Sequence, residues 1–230
     1  MEPKAARLVE EPYWDRFERL LAWAEAHTVS SVWSCLAAHA AMQLLDGIER
    51  RRLVEKRFGV FEHNILLAGY PMVSGISARL STPHSRWNEL PVAALRKARY
   101  AVVSGSPETG ADLFVKQSQS LHVFFQGHPE YGETTLFREY RRDIGRFLQG
   151  EQPAYPTIPR GYFSADVAAR FVAFERRALA APTIELLSSL PIDAGSACAC
   201  NKWGAAAVRI YHNWPSLIAA AKSPGRAAAV

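Results

Sequence analysis

The chain has 230 residues, with 27 basic and 22 acidic side chains and a net charge of +5. Apolar residues make up 49% and charged residues 21%, which excludes a disordered protein and fits one large domain or two small ones. No apolar run approaches the ~20 residues that cross a bilayer, and no signal peptide is visible. Three cysteines are too few for a disulfide framework, so we expect a reduced, cytoplasmic protein.

The basic residues do not form a nucleic-acid patch. Residues 49–52 and 138–143 mix acidic and basic side chains, a pattern typical of solvated helix faces. We therefore expect small-molecule partners, and neither nucleic acid nor a membrane.

The first elements are a helix, a strand and a second helix. Residues 14–27 carry apolar side chains at helical spacing, and residues 28–34 are rich in β-branched and polar strand formers. Residues 36–45 form a predicted helix that ends at Gly47. Cys35 therefore lies at a sharp junction between a strand and a helix.

Further along the chain, short apolar runs predict strands and longer amphipathic runs predict helices. The predicted strands are 100–103, 112–116 and 121–125, and the predicted helices are 135–148, 165–179 and 202–221. Strands that alternate with helices indicate an α/β fold with a largely parallel sheet.

Cys35 occupies a position where a thiol can be activated. The helix that follows directs its N-terminal N–H groups and positive dipole end toward the sulfur, which favours the thiolate. The backbone N–H of Leu36 can donate to an oxyanion. The alternative is an inert cysteine that packs in the core as a small hydrophobe.

His128 and Glu130 follow the predicted strand 121–125. Catalytic groups gather at the carboxyl ends of strands in open α/β sheets, and a carboxylate two residues away can orient a histidine that acts as general base. Each residue alone also fits a surface loop, but together with Cys35 they suggest a Cys-His-Glu triad. Arg142 fits either a bidentate carboxylate site or a surface ion pair with Glu139.

Four segments resemble homoserine O-succinyltransferases of the methionine pathway. They are EKRFGVFEH (55–63), PHSRWNE (83–89), QGHPEYGETTLFREYRRD (126–143) and NKWGAAAVRIYHNW (201–214), in the same order relative to Cys35 as in that family. The resemblance covers about residues 6–156 and 201–214. It implies a flavodoxin-like fold of the class I glutamine-amidotransferase type, and a homodimer.

The resemblance also implies roles for individual residues. Cys35 matches the acyl-accepting nucleophile, His128 the general base and Glu130 its triad partner. The substrate-binding positions match Lys56, Ser85 and Arg142, of which Arg142 holds the homoserine carboxylate.

The implied reaction transfers a succinyl group from succinyl-CoA to the homoserine hydroxyl through a Cys35 acyl-enzyme. Succinyl-CoA is the co-substrate, and the resemblance implies no cofactor and no metal. Cys198 and Cys200 offer only two ligands, so we interpret them as loop thiols. Arg7 lies where the family carries Gly in succinyl users and Glu in acetyl users, so this position leaves the acyl donor open.

Two departures from the family pattern shape the remaining expectations. The family's N-terminal strands, which supply the other half of the sheet and a second oxyanion donor, have no counterpart before Cys35, so we expect an N-terminally truncated domain. Residues 1–230 form one predicted domain with an insertion at about 157–200. The alternatives are an acetyl-CoA-dependent homoserine or serine O-acetyltransferase, a glutamine amidotransferase, and an inactive remnant or binding protein.

Overall fold

A computed structural model describes residues 3, 5, 7–191 and 201–222 of the chain, with side chains to residue 219. The first long element, helix α1 (Trp14–His27), matches its prediction. It buries Leu21 and Ala24 against Trp33 and Met42, because apolar residues three and four positions apart share one helix face. Among the described residues, no helix has both the length and the apolar character needed to cross a membrane.

The first sheet contains four strands in the order β1-β8-β7-β4. Their bounds are β1 (Ser30–Ser34), β4 (Ala101–Val102), β7 (Leu113–Gln117) and β8 (Leu121–Phe125). Only β1 and β8 pair in parallel, while the β8–β7 and β7–β4 pairs are antiparallel. The predicted α/β class is correct, but the prediction of a largely parallel sheet is wrong for the described strands. Three residues join β7 to β8, and so short a connection permits only an antiparallel hairpin.

The second sheet is antiparallel throughout and has the order β3-β2-β5-β6. Its strands are β2 (Arg51–Ile65), β3 (Arg79–Glu89), β5 (Ser104–Ser106) and β6 (Gly110–Ala111). The β2–β3 pair is the longest ladder in this sheet, and its register shifts between Arg52 and Arg57. This ladder carries Lys56 on one strand and Ser85 on the other.

The other helices agree with their predictions to within two residues, and a short unpredicted helix joins them. Their bounds are α2 (Leu36–Asp46), α3 (Val92–Lys97), α4 (Thr135–Leu148), α5 (Ala165–Ala180) and α6 (Gly204–Lys222). Helix α2 ends at Gly47, whose left-handed backbone (φ 63°) is the usual glycine stop. Short 3-10 turns occur at Leu8–Glu10, Pro71–Val73 and Ile184–Ser189.

The segment predicted as an insertion shares a hydrophobic core with α4. Phe171 and Phe174 of α5 are buried in the same cluster as Tyr140 and Ile144 of α4. Trp203, next to α6, completes the cluster and donates its indole N–H to the Tyr131 carbonyl. This packing fixes the face of α4 that points away from the candidate site. Cys198 and Cys200 lie outside the described residues.

Candidate active site

The parallel pair β1–β8 brings the candidate nucleophile and base to one edge of the sheet. Ser34 pairs with Phe125, and the Cys35 N–H donates to the Phe125 carbonyl at 2.8 Å. Both strands therefore end side by side, and Gly127 and His128 follow β8 after Gln126. The prediction that Cys35 and His128 lie close together depends only on this parallel pair. It therefore holds although the other strand pairs of the sheet are antiparallel.

Cys35 has a backbone conformation that is rare for a residue with a side chain. Its φ is 47° and its ψ is −111°, and it directly precedes α2. Such strain costs of order 1–3 kcal/mol and persists where the surrounding structure enforces it, as at the nucleophile elbow of hydrolases. The first N–H groups of α2 have no intrahelical acceptor, so they can stabilise negative charge beside the half-buried thiol.

His128 is fixed from three directions. Its Nδ1 lies 2.8 Å from Glu130 Oε1, its backbone N–H donates to the Pro83 carbonyl at 2.8 Å, and its ring stacks on Tyr131 with centroids 4.1 Å apart. The Ser34 hydroxyl approaches the other Glu130 oxygen at 3.5 Å. Because Glu130 contacts Nδ1, Nε2 is the His128 nitrogen that exchanges protons at the site.

The environment of His128 favours its protonated form. Burial lowers the pKa, but hydrogen bonding to Cys35 and Glu130 and the negative charges of both groups outweigh burial and raise the pKa to about 9. The resting site therefore holds an imidazolium between two potential anions, an arrangement typical of cysteine nucleophiles activated by histidine.

Replacing Glu130 with glutamine is expected to lower the pKa of His128. The variant removes a negative charge that raises this pKa, while burial, which lowers it, is unchanged. Titration of the His128 ring resonances by NMR measures the shift. Glu133→Gln, an exposed change in the same loop, is the matched control and should leave the pKa at about 9. An unchanged pKa in Glu130→Gln would contradict the assigned pairing.

A pocket of about 310 Å³ brings five of the seven predicted site residues together. Its lining includes Cys35, His128, Lys56, Ser85 and Arg142. Glu130 does not line the pocket, as expected for a residue that contacts His128 rather than the substrate.

The structure pairs Arg142 with a different acid from the one considered in the sequence. Its Nε and one terminal nitrogen contact Asp143 Oδ1 at 2.9 and 2.8 Å, and Lys56 Nζ lies 3.1 Å from Asp143 Oδ2. Glu139 instead accepts hydrogen bonds from Ser85 and from the Tyr131 hydroxyl.

Sequence reasoning missed Tyr131, Glu139, Asp143 and Arg146 as pocket residues. A signal was available on α4, because residues three and four positions apart lie on one helix face. Residues 139, 142, 143 and 146 follow this spacing, so Arg142 as a site residue already implied its neighbours.

Arg7 lies beside the Cys35 pocket rather than in it. It lines a neighbouring cavity of about 520 Å³ with Arg50 and Arg52. Arg50 and Asn88 line both cavities, so the two adjoin each other. Together these residues make a basic surface next to the nucleophile.

Three buried side chains, His63, His84 and Asp112, bring potential metal ligands within 4.8 Å of one another. Their hydrogen bonds do not fit a metal site. Arg86 Nε donates to His84 Nδ1 at 3.1 Å, which places the His84 proton on Nε2, where a metal would need a lone pair. His84 Nε2 lies 3.0 Å from His63 Nε2 and 3.5 Å from Asp112 Oδ1. The cluster thus serves as a hydrogen-bonded support for Arg86.

Solved structures with the same fold define the class of protein. The chain superposes on a glutamine amidotransferase from Thermotoga maritima with a TM-score of 0.53 at 13% identity, covering 94% of this chain and 75% of the other. A glutamine amido transferase from Methylobacillus flagellatus gives 0.52 at 16% identity, covering 90% and 70%. The protein therefore has a glutamine-amidotransferase-like α/β fold.

Sequence comparison identifies the family within this class. The sequence model of homoserine O-succinyltransferases matches residues 2–224, so the chain belongs to the homoserine O-succinyltransferase family. It is 45% identical to the homoserine O-succinyltransferase of Rhodopseudomonas palustris, covering 97% of this chain and 66% of that protein. It is 42% identical to that of Methylorubrum extorquens, covering 94% and 65%. The resemblance found in the sequence is confirmed, and the chain spans about two-thirds of these relatives' length.

Proposed function

We propose that this protein transfers a succinyl group from succinyl-CoA to the hydroxyl of L-homoserine through a covalent intermediate on Cys35. The observation that carries the proposal is the strained cysteine beside a histidine–carboxylate pair, in one pocket with cationic side chains. Family membership and the names of the relatives support the substrate assignment.

In the first half-reaction the Cys35 thiolate attacks the thioester carbonyl. A bond forms between sulfur and the acyl carbon, and the oxyanion accepts a hydrogen bond from the backbone N–H of Leu36 at the start of α2. The bond to the CoA sulfur then breaks, and His128 supplies the proton that CoA takes away. Succinyl-CoA is a co-substrate here, and the proposed step uses no bound cofactor or metal.

Acylation of Cys35 then lowers the pKa of His128. Once the Cys35 sulfur is part of a thioester, its negative charge and its hydrogen bond no longer raise the histidine pKa, while the lowering effect of burial remains. His128 becomes a neutral base oriented by Glu130. It takes the proton of the homoserine hydroxyl as that oxygen attacks the thioester, and Cys35 leaves as thiolate.

The pocket suits an amino acid as the acyl acceptor. Arg142 and Lys56 can bind the carboxylate of the acceptor. In the structure both side chains form ion pairs with Asp143. Glu139, fixed by Ser85 and Tyr131, suits the ammonium group. A substrate with both charges is therefore held through the two groups on its α-carbon, which leaves its side-chain hydroxyl free to reach Cys35.

The basic cavity that adjoins the pocket suits an acyl donor with a second negative charge. Arg7 and Arg50 line it, and the distal carboxylate of a succinyl group would be paired there, whereas an acetyl group has no such charge. This favours succinyl-CoA over acetyl-CoA and makes Arg7 a donor-specificity residue.

We also propose a wider biological assignment for the protein. It includes a flavodoxin-like core, a role in methionine biosynthesis, a cytoplasmic location, a homodimeric state and small-molecule partners only. Family membership and the enzyme name carried by the relatives support the pathway and the small-molecule substrates.

The test is the intact mass of the protein after it is mixed with succinyl-CoA or with acetyl-CoA, before and after homoserine is added. We expect a succinyl adduct that is absent in Cys35→Ala and disappears with homoserine. An acetyl adduct alone would keep the mechanism and overturn the donor. A folded protein that forms neither adduct would overturn the enzymatic proposal and favour a binding protein.

A further inference from the structure

Arg86 is a buried cation that the proposed mechanism does not use. Only 1% of the residue is exposed, yet it lines the pocket that contains Cys35. Its guanidinium donates to His84 Nδ1 at 3.1 Å and to the Asn88 and Thr109 carbonyls at 2.7 Å each. All three acceptors are neutral groups, so these bonds fix the position of the charge without cancelling it.

The support beneath Arg86 preserves the positive charge. Burial and the neighbouring Arg86 charge lower the pKa of His84 well below its usual value, so the ring stays neutral and accepts from Arg86. The acid of this support, Asp112, accepts hydrogen bonds from the Thr82 hydroxyl at 2.9 Å and the Gly127 N–H at 3.0 Å. In the described part of the chain no carboxylate oxygen lies within 4.0 Å of the Arg86 guanidinium.

A buried cation without a direct carboxylate partner is stabilised by any anion that forms nearby. Burial lowers the pKa of Arg86, while negative charge on Asp112 and on Cys35 raises it. Coupling between two charges is reciprocal, so a cation that the Cys35 anion stabilises must stabilise that anion by the same amount.

We propose that Arg86 is a positioning residue that acts through Cys35, because its buried and fixed positive charge holds the nucleophile as thiolate before the acyl donor binds. The inference rests on the proposed role of Cys35. It adds to the positive potential of His128 and α2 a further source, which is buried and carries no transferable proton. In the pH range of catalysis this charge is permanent, whereas that of His128 is lost when it acts as base.

The experiment measures the pH dependence of Cys35 alkylation by iodoacetamide. This reagent is uncharged and reacts with the thiolate, so its rate reports the thiolate fraction without any acyl donor. Mass spectrometry of the Cys35 peptide separates its reaction from those of Cys198 and Cys200. We expect Arg86→Gln to move the midpoint of the profile upward by about one pH unit, which slows alkylation about tenfold below the midpoint.

Two matched variants separate charge from structure. Arg86→Lys keeps the charge and should keep the midpoint near that of the unchanged protein. Arg146→Gln removes a cation from the pocket rim, where its side chain is 43% exposed and solvent screens it, and should not move the midpoint. A folded Arg86→Gln protein with an unmoved midpoint would overturn the inference, as would equal upward shifts in the lysine and glutamine variants.

A further variant keeps the inference testable if Arg86→Gln does not fold. Asp112→Asn retains an acceptor for the Gly127 N–H but removes the negative charge of the support. Less of the Arg86 charge is then compensated at Cys35, and the midpoint should fall. An unchanged or raised midpoint in this variant would contradict the proposal. Because alkylation requires no substrate, these outcomes are independent of whether the protein forms a succinyl adduct.

Discussion

Replacing His128 with glutamine is expected to slow transfer of the acyl group from Cys35 to homoserine by about 10²–10⁴-fold. Glutamine cannot take the hydroxyl proton, although it preserves much of the size and polarity of histidine. The first half-reaction also slows, because the imidazolium that stabilises the Cys35 anion and protonates CoA is lost. The effect falls on the chemical steps rather than on homoserine binding, because Lys56, Ser85 and Arg142 are unchanged.

Single-turnover experiments test this expectation directly. The protein is acylated, homoserine is added, and the decay of the Cys35 adduct is followed by intact mass. The control is His27→Gln, a change to an exposed histidine at the end of α1 that does not line the pocket. If the adduct decays in His128→Gln within threefold of the rate in the unchanged protein, the assignment of His128 as the base is wrong.

The relation between Cys35 and His128 could be predicted because it depends on local signals. A β-branched strand that runs into a helix former defines the junction at Cys35. An apolar strand that is followed by Gly127 defines the position of His128. The prediction then needed only one tertiary fact, that these two strands are parallel neighbours, and the structure has this pair. The remaining strand pairs were not needed to bring the two residues together.

The sheet as a whole was predicted wrongly because alternation of strands and helices was given more weight than connection length. Residues 118–120 form too short a link for a parallel crossover between β7 and β8, and this is visible in the sequence. The long β2–β3 ladder is harder to foresee. Its pairing joins residues far apart in sequence, and a register shift between Arg52 and Arg57 interrupts its alternation.

Arg86 shows why a buried polar support escapes sequence analysis. Along β3 the inward positions include Thr82, His84, Arg86 and Asn88, all of them buried and polar. Alternation of polar and apolar residues would assign such side chains to the solvent face. Their burial becomes intelligible only when the partners that accept and donate their hydrogen bonds are known, and those partners come from other strands and loops.

Gly127→Ala is expected to damage both the stability of the protein and the position of its base. A Cβ atom at residue 127 would lie 2.6 Å from Thr82 Cγ2, 2.8 Å from the Pro83 carbonyl oxygen and 2.9 Å from Asp112 Oδ1. Each of these distances is too short, and one of the atoms belongs to the backbone, so the loop itself must move. Such overpacking typically costs about 1–3 kcal/mol of unfolding free energy.

The same movement displaces His128, because the crowded groups are those that hold the loop. Gly127 N–H donates to Asp112 Oδ1 at 3.0 Å, and His128 N–H donates to the Pro83 carbonyl at 2.8 Å. A displacement of about 1 Å in a catalytic group can cost about 10²-fold in rate. Urea unfolding measures the stability loss, and decay of the Cys35 adduct measures the rate loss.

Gly132→Ala is the matched control for this prediction. Residue 132 lies in the same loop, but a Cβ there would be 3.8 Å from Thr135 Oγ1, an ordinary contact. We expect its stability and its adduct decay to stay close to those of the unchanged protein. If Gly127→Ala behaved like this control, the loop would have room to relax. The contacts of Gly127 with β3 and Asp112 would then not be what positions the base.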